Sequence, residues 1–345
     1  MGERSEMKAI YAEEPYRIGY REVDIPECGD DDVLIKTAYL GVCASDLHAY
    51  RGQHAFRIPP VMLGHELSGV IEKTGKNVKG WKAGDRVSVM PQIGCGKCSA
   101  CRAGKTNLCA EKILPGTEKW NGTFAEYFVA PASVLIDLGN VPLKLGAIVE
   151  PLAVAVHAIE RFPADHSENL LILGSGAIAL MILSIAKSYG FKRIMTTDID
   201  DRNLDLAKKI GANVVVNPNK ADIKTAAGSF FGNDAVLNIV IGAGADTILE
   251  QAINIATPGS NIVYYAMITK NMTLNTYPIV FKELNLRGSL NYTYRDFEGA
   301  VRLLEEHGEA FNSIITNEFK FEEAQEAFEM QDKKEKFIIK SVIRV

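Results

Sequence analysis

The sequence predicts an α/β protein with two domains, one rich in β-strands and one built on a doubly wound parallel sheet. Short β-branched runs bounded by Gly, Pro and Asp fill residues 7–89. From Asn169 onward, buried strands alternate regularly with helices, which is typical of βαβ units. The chain has 345 residues, 47% of them hydrophobic, and this length favours two cores over one.

The predicted strands of the first part are MKAIYA, DVLIKTAYLGV, HELSGVIEKTG, GDRVSVMP and the stretch from Gly122 to Pro131. Each contains β-branched or aromatic residues and ends at a turn-forming residue. Residues 91–115 have a loop-like composition rich in Cys, Gly and Lys. The character changes after Glu150, where PLAVAVHAIERF has helical periodicity.

The second part begins with the strand NLLILG and the helix AIALMILSIAKSYG, which Gly190 closes. The strand RIMTTD, the helix DDRNLDLAKKIG and the strand ANVVVN follow. DAVLNIVIG, ADTILEQAINIA and NIVYYA repeat the strand–helix–strand order, and residues 284–290 are the last predicted strand of the sheet. The C-terminal residues predict an amphipathic helix and a strand, which we assign to the first domain.

Composition excludes several classes of partner. The net charge of −5 does not suit a nucleic-acid partner. The longest apolar run, residues 169–186, is interrupted at residues 174–176, so no membrane partner is expected. The N-terminus lacks a secretory apolar core. Four of the six cysteines lie between Cys95 and Cys109, which indicates metal ligands in a reducing compartment, and we expect a cytoplasmic protein.

Those four cysteines have the spacing of a structural metal site. Gaps of two, two and seven residues separate Cys95, Cys98, Cys101 and Cys109. Four thiolates complete a tetrahedral zinc site and leave no open position for chemistry. A pair of disulfides and an iron–sulfur cluster are the alternatives. The first disagrees with the reducing compartment, and the surrounding pattern argues against the second.

A second set of metal-ligand residue types is spread over three stretches of the chain. It consists of Cys43, His65, Glu66 and Glu150. A catalytic zinc takes about three protein ligands and keeps one exchangeable position. Taken singly, Cys43 also fits a buried apolar cysteine, His65 a core histidine, and Glu150 an acid at the start of a helix. The residues alone leave these alternatives open.

A glycine-rich turn follows the strand NLLIL and opens a helix, as in dinucleotide-binding βαβ units. Its backbone N–H groups are expected to hold a pyrophosphate. Asp198 ends the next strand, where a carboxylate binds the adenosine ribose and repels a 2′-phosphate, so NAD is favoured over NADP. Alternatively Asp198 is a helix N-cap, a role open to Asp200 as well. The predicted cofactor-binding residues are Gly174, Ser175, Gly176, Ala177, Ile178, Asp198 and Arg202.

The pattern GHE-x2-G-x5-G-x2-V, which starts at Gly64, resembles the signature of the zinc-containing medium-chain alcohol dehydrogenase superfamily. The stretch from Cys43 to His48 and the four-cysteine segment resemble it too, and the similarity covers essentially the whole chain. The resemblance implies that Cys43 and His65 bind a catalytic zinc. It also implies that Asp46 supports the metal-binding histidine, and that Ser45 and His48 relay the substrate proton to solvent.

The third ligand position differs between subfamilies. Simple alcohol dehydrogenases usually have a cysteine there, and threonine dehydrogenases an aspartate before a proline. This chain has Glu150 in VEPLAVAVHA, which is similar to sorbitol and related polyol dehydrogenases and to butanediol dehydrogenases. In the polyol group the glutamate matching Glu66 can bind zinc, while the one matching Glu150 holds the water on the metal. Which of the two contacts the metal stays open.

The resemblance implies a GroES-like catalytic domain, residues 1–152 and 294–345, and a Rossmann NAD-binding domain, residues 153–293. It further implies an NAD- and zinc-dependent dehydrogenase, with two zinc ions per chain, that oxidises a secondary alcohol of a free or phosphorylated polyol to the ketose. Ser45, His48 and Glu150 are the predicted catalytic residues. Threonine or 2,3-butanediol dehydrogenase, or a non-catalytic zinc-stabilised nucleotide-binding protein, are the alternatives. Relatives form dimers or tetramers, so we expect a homo-oligomer assembled through residues 275–290.

Overall fold

A computed structural model describes residues 5–267, 271–334 and 336–345. Within these ranges no helix is both long and apolar enough to cross a membrane. The chain forms two compact units. The first comprises the described parts of Met1–Ala153 and Thr293–Val345, and the second those of Val154–Tyr292.

The described strands are β1 Glu6–Glu14, β2 Arg17–Asp24, β3 Asp32–Val42, β4 Val61–Met62, β5 Glu66–Thr74, β6 Arg86–Val89, β7 Tyr127–Pro131, β8 Leu135–Asp137, β9 Asn169–Leu173, β10 Arg193–Thr197, β11 Val214–Val216, β12 Asn238–Ile241, β13 Asn261–Tyr264, β14 Asn285–Gly288, β15 Ile315–Lys320 and β16 Lys340–Arg344.

The described α-helices are α1 Ala44–Tyr50, α2 Ser99–Arg102, α3 Leu143–Gly146, α4 Val149–Ile159, α5 Ala177–Ala186, α6 Asp201–Ile210, α7 Ile223–Phe231, α8 Ile248–Ile255, α9 Tyr277–Phe281, α10 Tyr294–Asn312 and α11 Ala324–Lys333.

The first unit is organised around β3, the long central strand of a seven-stranded sheet. Along this sheet the order is β15-β16-β3-β5-β6-β8, and β7 also pairs with β3. A smaller sheet has the order β2-β1-β4. The C-terminal strand β16 pairs antiparallel with β3, with Ser341 opposite Val42. The end of the chain therefore belongs to the β-rich unit and lies beside the end of β3.

The strand predicted from Gly122 to Pro131 begins only at Tyr127. Before that residue the backbone forms only an isolated antiparallel bridge to β1, between Ala9 and Ala125, and its other bonds include those to the segment after β4. Phe124 N–H donates to the carbonyl of Leu63 at 3.1 Å. A Cβ on Gly122 would lie 2.0 Å from the same carbonyl oxygen. This close approach of backbone to backbone explains the glycine and the late start of β7.

The second unit is a six-stranded parallel sheet in the order β11-β10-β9-β12-β13-β14. Alternate strand residues such as Leu171, Ile239 and Ile262 pack in one core with apolar residues of α7 and α8. The strand order reverses between β9 and β12, and such a switch point at the carboxyl ends of strands is where open α/β sheets bind ligands. The turn after β9 is therefore the expected cofactor site.

Helix α7 and helix α10 were not among the elements that the sequence patterns singled out. Helix α7 starts at the N-cap Asp222, whose carboxylate accepts the N–H of Thr225 at 2.7 Å. Helix α10 starts with a capping box between Thr293 and Asp296. Both starts follow ordinary capping rules, so local sequence signals for these helices exist.

Candidate active site

Three predicted metal ligands converge in the first unit. The sulfur of Cys43, a ring nitrogen of His65 and a carboxylate oxygen of Glu66 all lie within 4.8 Å of one another. The pairing of β3 with β5 explains the convergence, because the register places Gly41 opposite Glu66. Cys43 directly follows β3 and His65 directly precedes β5. Antiparallel neighbours bring the end of one strand beside the start of the next.

Glu66 forms a buried ion pair with Lys340, the first residue of β16. Lys340 Nζ lies 2.6 Å from Oε1 and 2.5 Å from Oε2 of Glu66, and it also donates to the carbonyl of Val42 at 3.0 Å. Glu66 is completely buried and Lys340 is 3% exposed. A Cβ on Gly41 would lie 1.8 Å from Glu66 Oε2, so only glycine leaves room for this carboxylate.

Asp46 lies behind the ligands and contacts the backbone or side chain of each stretch that carries them. Its Oδ2 accepts the N–H of Cys43 at 3.1 Å, and its Oδ1 accepts the N–H of Gly64 at 3.3 Å. His65 Nδ1 is 3.4 Å from Oδ1. Burial raises the pKa of Asp46, but His65, Arg57 and the N–H of Cys43 outweigh that effect and lower it to about 2.

The donor set fits a zinc ion. A thiol, an imidazole and a carboxylate are the side chains that bind zinc in proteins. Burial lowers the pKa of His65, yet the charges of Asp46 and Cys43 raise it well above its usual value. The pocket therefore concentrates negative charge around the imidazole and favours a cation there. A dication bound by Cys43 and His65 satisfies the same charges.

Glu150 is the second residue of α4 and is 9% exposed. Among the described residues, the close group of ligand atoms contains Glu66 and not Glu150. Burial lowers the pKa of Lys340, whereas Glu66 and, less strongly, Cys43 and Glu150 raise it above its usual value. Glu150 therefore adds negative charge near the ligand group without belonging to it.

Ser45 and His48 both lie on α1. Residues three apart on a helix are neighbours on one face. Ser45 is half-buried and His48 is exposed. The helix thus carries one partly shielded hydroxyl and one imidazole that is open to solvent.

The four cysteines of the second metal set also come together, with their sulfurs within 4.8 Å of one another. Cys95 Sγ and Cys101 Sγ are 4.0 Å apart, about twice the length of a disulfide bond, and all six cysteines of the chain are free. The N–H groups of Lys97 and Cys98 are the largest cause of a lowered pKa of Cys95, at about 6. The disulfide alternative is wrong, and backbone donors around a thiolate fit a metal ligand.

The glycine-rich turn of the second unit connects β9 to α5. Gly174 has φ +105°, which favours glycine, and Gly176 is the N-cap of α5. A Cβ on Gly176 would meet no heavy atom within 4 Å, so the turn leaves open space there. Ala177 and Ile178 form the first turn of α5. This arrangement suits a pyrophosphate at a helix N-terminus.

Asp198 receives two backbone N–H groups at the end of β10. Ser175 N–H donates to its Oδ2 at 2.8 Å, and Asp200 N–H donates to its Oδ1 at 2.9 Å. The N-cap of α6 is Asp200, which accepts the N–H of Arg202 at 2.9 Å. The alternative helix-capping role is therefore taken by Asp200. The guanidinium of Arg202 pairs with the same carboxylate, with Nη2 2.7 Å from Oδ2.

Two further charged residues of the site were missed at the level of the sequence, Lys340 and Arg57. Lys340 stands in the apolar stretch FIIKSVIRV, and a lysine inside a buried strand is a signal for a buried partner. Arg57 stands in an irregular loop, and no sequence pattern indicates that its side chain is buried.

Two family models match the chain. The model described as alcohol dehydrogenase GroES-like domain matches residues 29–140, and the model described as zinc-binding dehydrogenase matches residues 177–306. D-xylulose reductase A from Aspergillus niger is 34% identical over 324 residues, which cover 91% of this chain and 90% of that protein. The chain belongs to the zinc-containing medium-chain alcohol dehydrogenase superfamily.

Solved structures of similar proteins share the fold over nearly the whole chain. An Escherichia coli CFT073 protein described as a short chain alcohol dehydrogenase, in complex with NADH, has a TM-score of 0.90 at 28% identity and covers 99% of this chain and 100% of its own. A Sinorhizobium meliloti 1021 protein bound to NADP has a TM-score of 0.91 at 27% identity, and the match covers 99% of this chain and 100% of that protein. Galactitol-1-phosphate dehydrogenase from Escherichia coli has a TM-score of 0.89 at 28% identity, and the match covers 98% of this chain and 100% of that protein.

These similarities confirm the predicted superfamily and the predicted combination of a GroES-like domain with a Rossmann-type parallel sheet. They also confirm the predicted class of enzyme, a zinc-binding dehydrogenase that uses a nicotinamide dinucleotide. The individual ligand, relay and cofactor-binding residues remain predictions.

Proposed function

We propose that this protein oxidises a secondary alcohol of a polyol to the ketose, with NAD as the hydride acceptor and a zinc ion in the site of the first unit. The observation that carries the proposal is the grouping of Cys43, His65 and Glu66 within 4.8 Å, in a chain that matches zinc-binding dehydrogenases.

Cys43, His65 and one of the glutamates, Glu66 or Glu150, would hold the zinc. Bound there, the metal supplies Lewis-acid polarisation of a hydroxyl group, which eases loss of its proton. Glu66 is paired with Lys340, and Glu150 lies outside the close ligand group, so each glutamate has one feature against it. Separate Glu66→Gln and Glu150→Gln variants, analysed for zinc content, identify the ligand as the one whose loss empties the site.

Ser45 Oγ would accept the proton of the substrate hydroxyl, and His48 would pass it to solvent. The half-buried serine and the exposed histidine on one helix support this order. Hydride transfer itself belongs to the cofactor, and the protein orients the two reactants.

The preference for NAD rests on charge at the end of β10. The carboxylate of Asp198 would accept hydrogen bonds from the adenosine ribose and repel a 2′-phosphate. Arg202 is a nearby cation, and its pairing with Asp200 leaves less of its charge available for a phosphate. Initial rates with NAD and NADP at equal concentration test this preference, and faster turnover with NADP would contradict it.

A polyol of the xylitol type is the proposed substrate class, because D-xylulose reductase A matches 91% of this chain. Glu150 stands where simple alcohol dehydrogenases usually have a cysteine and threonine dehydrogenases an aspartate, which supports the same group. The test is NAD reduction with xylitol, sorbitol, galactitol, galactitol 1-phosphate, threonine and 2,3-butanediol. Highest kcat/KM with a polyol supports the proposal. Highest kcat/KM with threonine or butanediol overturns the substrate class, and no turnover with any of them overturns the activity.

Two zinc ions per chain are proposed, one held by Cys43 and His65 and one by the four cysteines. A Cys43→Ser variant should retain one zinc, bind NADH normally and lose turnover, because it removes a ligand of the first site alone. Elemental analysis and NADH fluorescence measure the two properties. Turnover by that variant after metal removal would contradict the role of the metal.

We also propose that the protein is a cytoplasmic homo-oligomer, a dimer or a tetramer. Six free cysteines support a reducing compartment. Tyr277, Val280 and Phe281 of α9 are at least 67% exposed, and α9 directly precedes β14, the edge strand of the parallel sheet. Exposed apolar residues of this kind mark interaction sites. A Phe281→Asp variant should lower the mass measured by light scattering, and Val236→Asp should not.

A further inference from the structure

Arg57 is a buried arginine that the dehydrogenase chemistry described above does not use. Arg57 is only 5% exposed, although it lies in the irregular segment between α1 and β4. Burial of a guanidinium is costly unless its charge and its N–H groups have partners. The partners of Arg57 therefore show what the burial achieves.

The guanidinium contacts two elements. Nε and Nη2 donate to the carbonyl oxygen of Pro115, at 3.2 Å and 2.9 Å. Nη1 lies 3.8 Å from Oδ1 of Asp46, a residue with no exposed surface. The next residue after the proline, Gly116, has φ +75°, and a Cβ there would lie 2.9 Å from Nε. The loop at Pro115 is thus shaped to receive this side chain.

Asp46 connects Arg57 to the metal ligands, because it contacts both. Its two oxygens accept the N–H groups of Cys43 and Gly64, and one of them, Oδ1, lies beside the ring of His65. A buried carboxylate needs a compensating cation. When His65 is a neutral metal ligand, as zinc binding requires, Arg57 still supplies a permanent positive charge beside Asp46. A guanidinium keeps its charge at every pH the enzyme meets.

We propose that Arg57 is a positioning residue for the zinc site of the first unit. It offsets the charge of Asp46, fixes the carboxylate that orients His65 and the backbone at Cys43, and ties this assembly to the loop at Pro115. The inference rests on the proposed zinc role of Cys43 and His65 and deepens it.

A guanidinium suits this task better than an ammonium group. Its planar fork donates to the Pro115 carbonyl with two nitrogens while the third faces Asp46. Lysine can keep the charge but cannot hold both partners in this geometry. Replacement by methionine keeps the apolar length and removes both the charge and the donors. The two substitutions therefore separate charge from anchoring.

The test measures zinc release from the zinc-loaded full chain into a chelating dye. Cys43→Ser and Cys98→Ser each remove one site and so assign the two release phases. Changes behind a metal ligand typically weaken metal binding about 10- to 100-fold. Arg57→Met should accelerate the phase assigned to Cys43 and His65 by about this factor and leave the four-cysteine phase unchanged. Arg57→Lys should lie between wild type and Arg57→Met.

Arg51→Met is the matched control, because Arg51 pairs with Asp332 in the same unit and its side chain is 28% exposed. It should release both ions at wild-type rates. Cobalt substitution gives a second readout, since the visible spectrum of cobalt at the Cys43 site reports its ligand geometry and should shift in Arg57→Met.

Release by Arg57→Met within twofold of wild type overturns the inference, and so does equal acceleration of both phases or of Arg51→Met. If Arg57→Met does not fold, Arg57→Lys decides the question. Faster zinc release from the Cys43 and His65 site alone supports the inference, and an unchanged release rate overturns it. Wild-type protein that holds a single zinc in the four-cysteine site would instead overturn the proposed function.

Discussion

Replacement of Lys340 by methionine should destabilise the first unit strongly. The ammonium group pairs with both oxygens of Glu66 and donates to the carbonyl of Val42. Glu66 has no exposed surface, so the substitution leaves a carboxylate buried without its cation. Removal of one partner of a buried ion pair costs about 3–5 kcal/mol. For a domain of this size the melting temperature should fall by about 6–20 °C.

The assay is thermal unfolding followed by tryptophan fluorescence, because both tryptophans, Trp81 and Trp120, belong to the first unit. The matched control is Lys333→Met, whose pair with Glu329 is exposed on both sides. An exposed pair of this kind contributes about 0–1 kcal/mol, so the control should melt within a few degrees of wild type.

A double variant decides whether the stranded charge is the cause. Glu66→Gln combined with Lys340→Met removes both charges, so its free energy of unfolding should exceed that of Lys340→Met by about 2 kcal/mol or more. A cost below about 1 kcal/mol for Lys340→Met would refute the reasoning. A double variant that loses the sum of both single losses would refute it as well, because the two residues would then act independently.

Three further predictions address other parts of the molecule. Cys98→Ser should lower the zinc content by one ion per chain and lower the melting temperature, and an unchanged zinc content by elemental analysis would contradict the structural site. Asp198→Ala should weaken NADH binding about 10- to 100-fold in a fluorescence titration, since hydrogen bonds to a charged group contribute about 1.5–3 kcal/mol; unchanged affinity would remove Asp198 from the cofactor site. Thr293→Ala should cost about 1 kcal/mol in urea unfolding through loss of the N-cap of α10, and no change would show that the capping box is dispensable.

Much of the fold was predictable because its signals are local. The alternation of strands and helices after Asn169 and the glycine-rich turn lie within short windows, and each matches an element of the parallel sheet. The strand expected from Gly122 was predicted too long. Its first residues have strand-like composition, but their backbone bonds partly to the loop at Leu63 and meets β1 only in an isolated bridge at Ala125, and no local pattern encodes these contacts. Tertiary contact there overrides β-propensity.

The candidate site was likewise predicted in part from the sequence, and the rest depends on tertiary structure. Residue type grouped Cys43, His65, Glu66 and Glu150 as possible ligands, because metal ligation restricts the usable side chains. The family resemblance then predicted zinc binding by Cys43 and His65. Only antiparallel pairing of β3 with β5 explains why residues more than twenty positions apart share one pocket. Glu150 belonged to the same predicted set, and it lies near the close group of ligand atoms but outside it.

The sequence by itself determined the class of this protein, because zinc ligation and dinucleotide binding each require particular residues at particular spacings. Tertiary structure alone decided which charges surround those ligands. Lys340 reaches Glu66 across the pairing of β16 with β3, and Arg57 reaches Asp46 from an irregular loop. The strength of an interaction between charges depends on their distance and burial, and the order of residues along the chain does not determine either quantity.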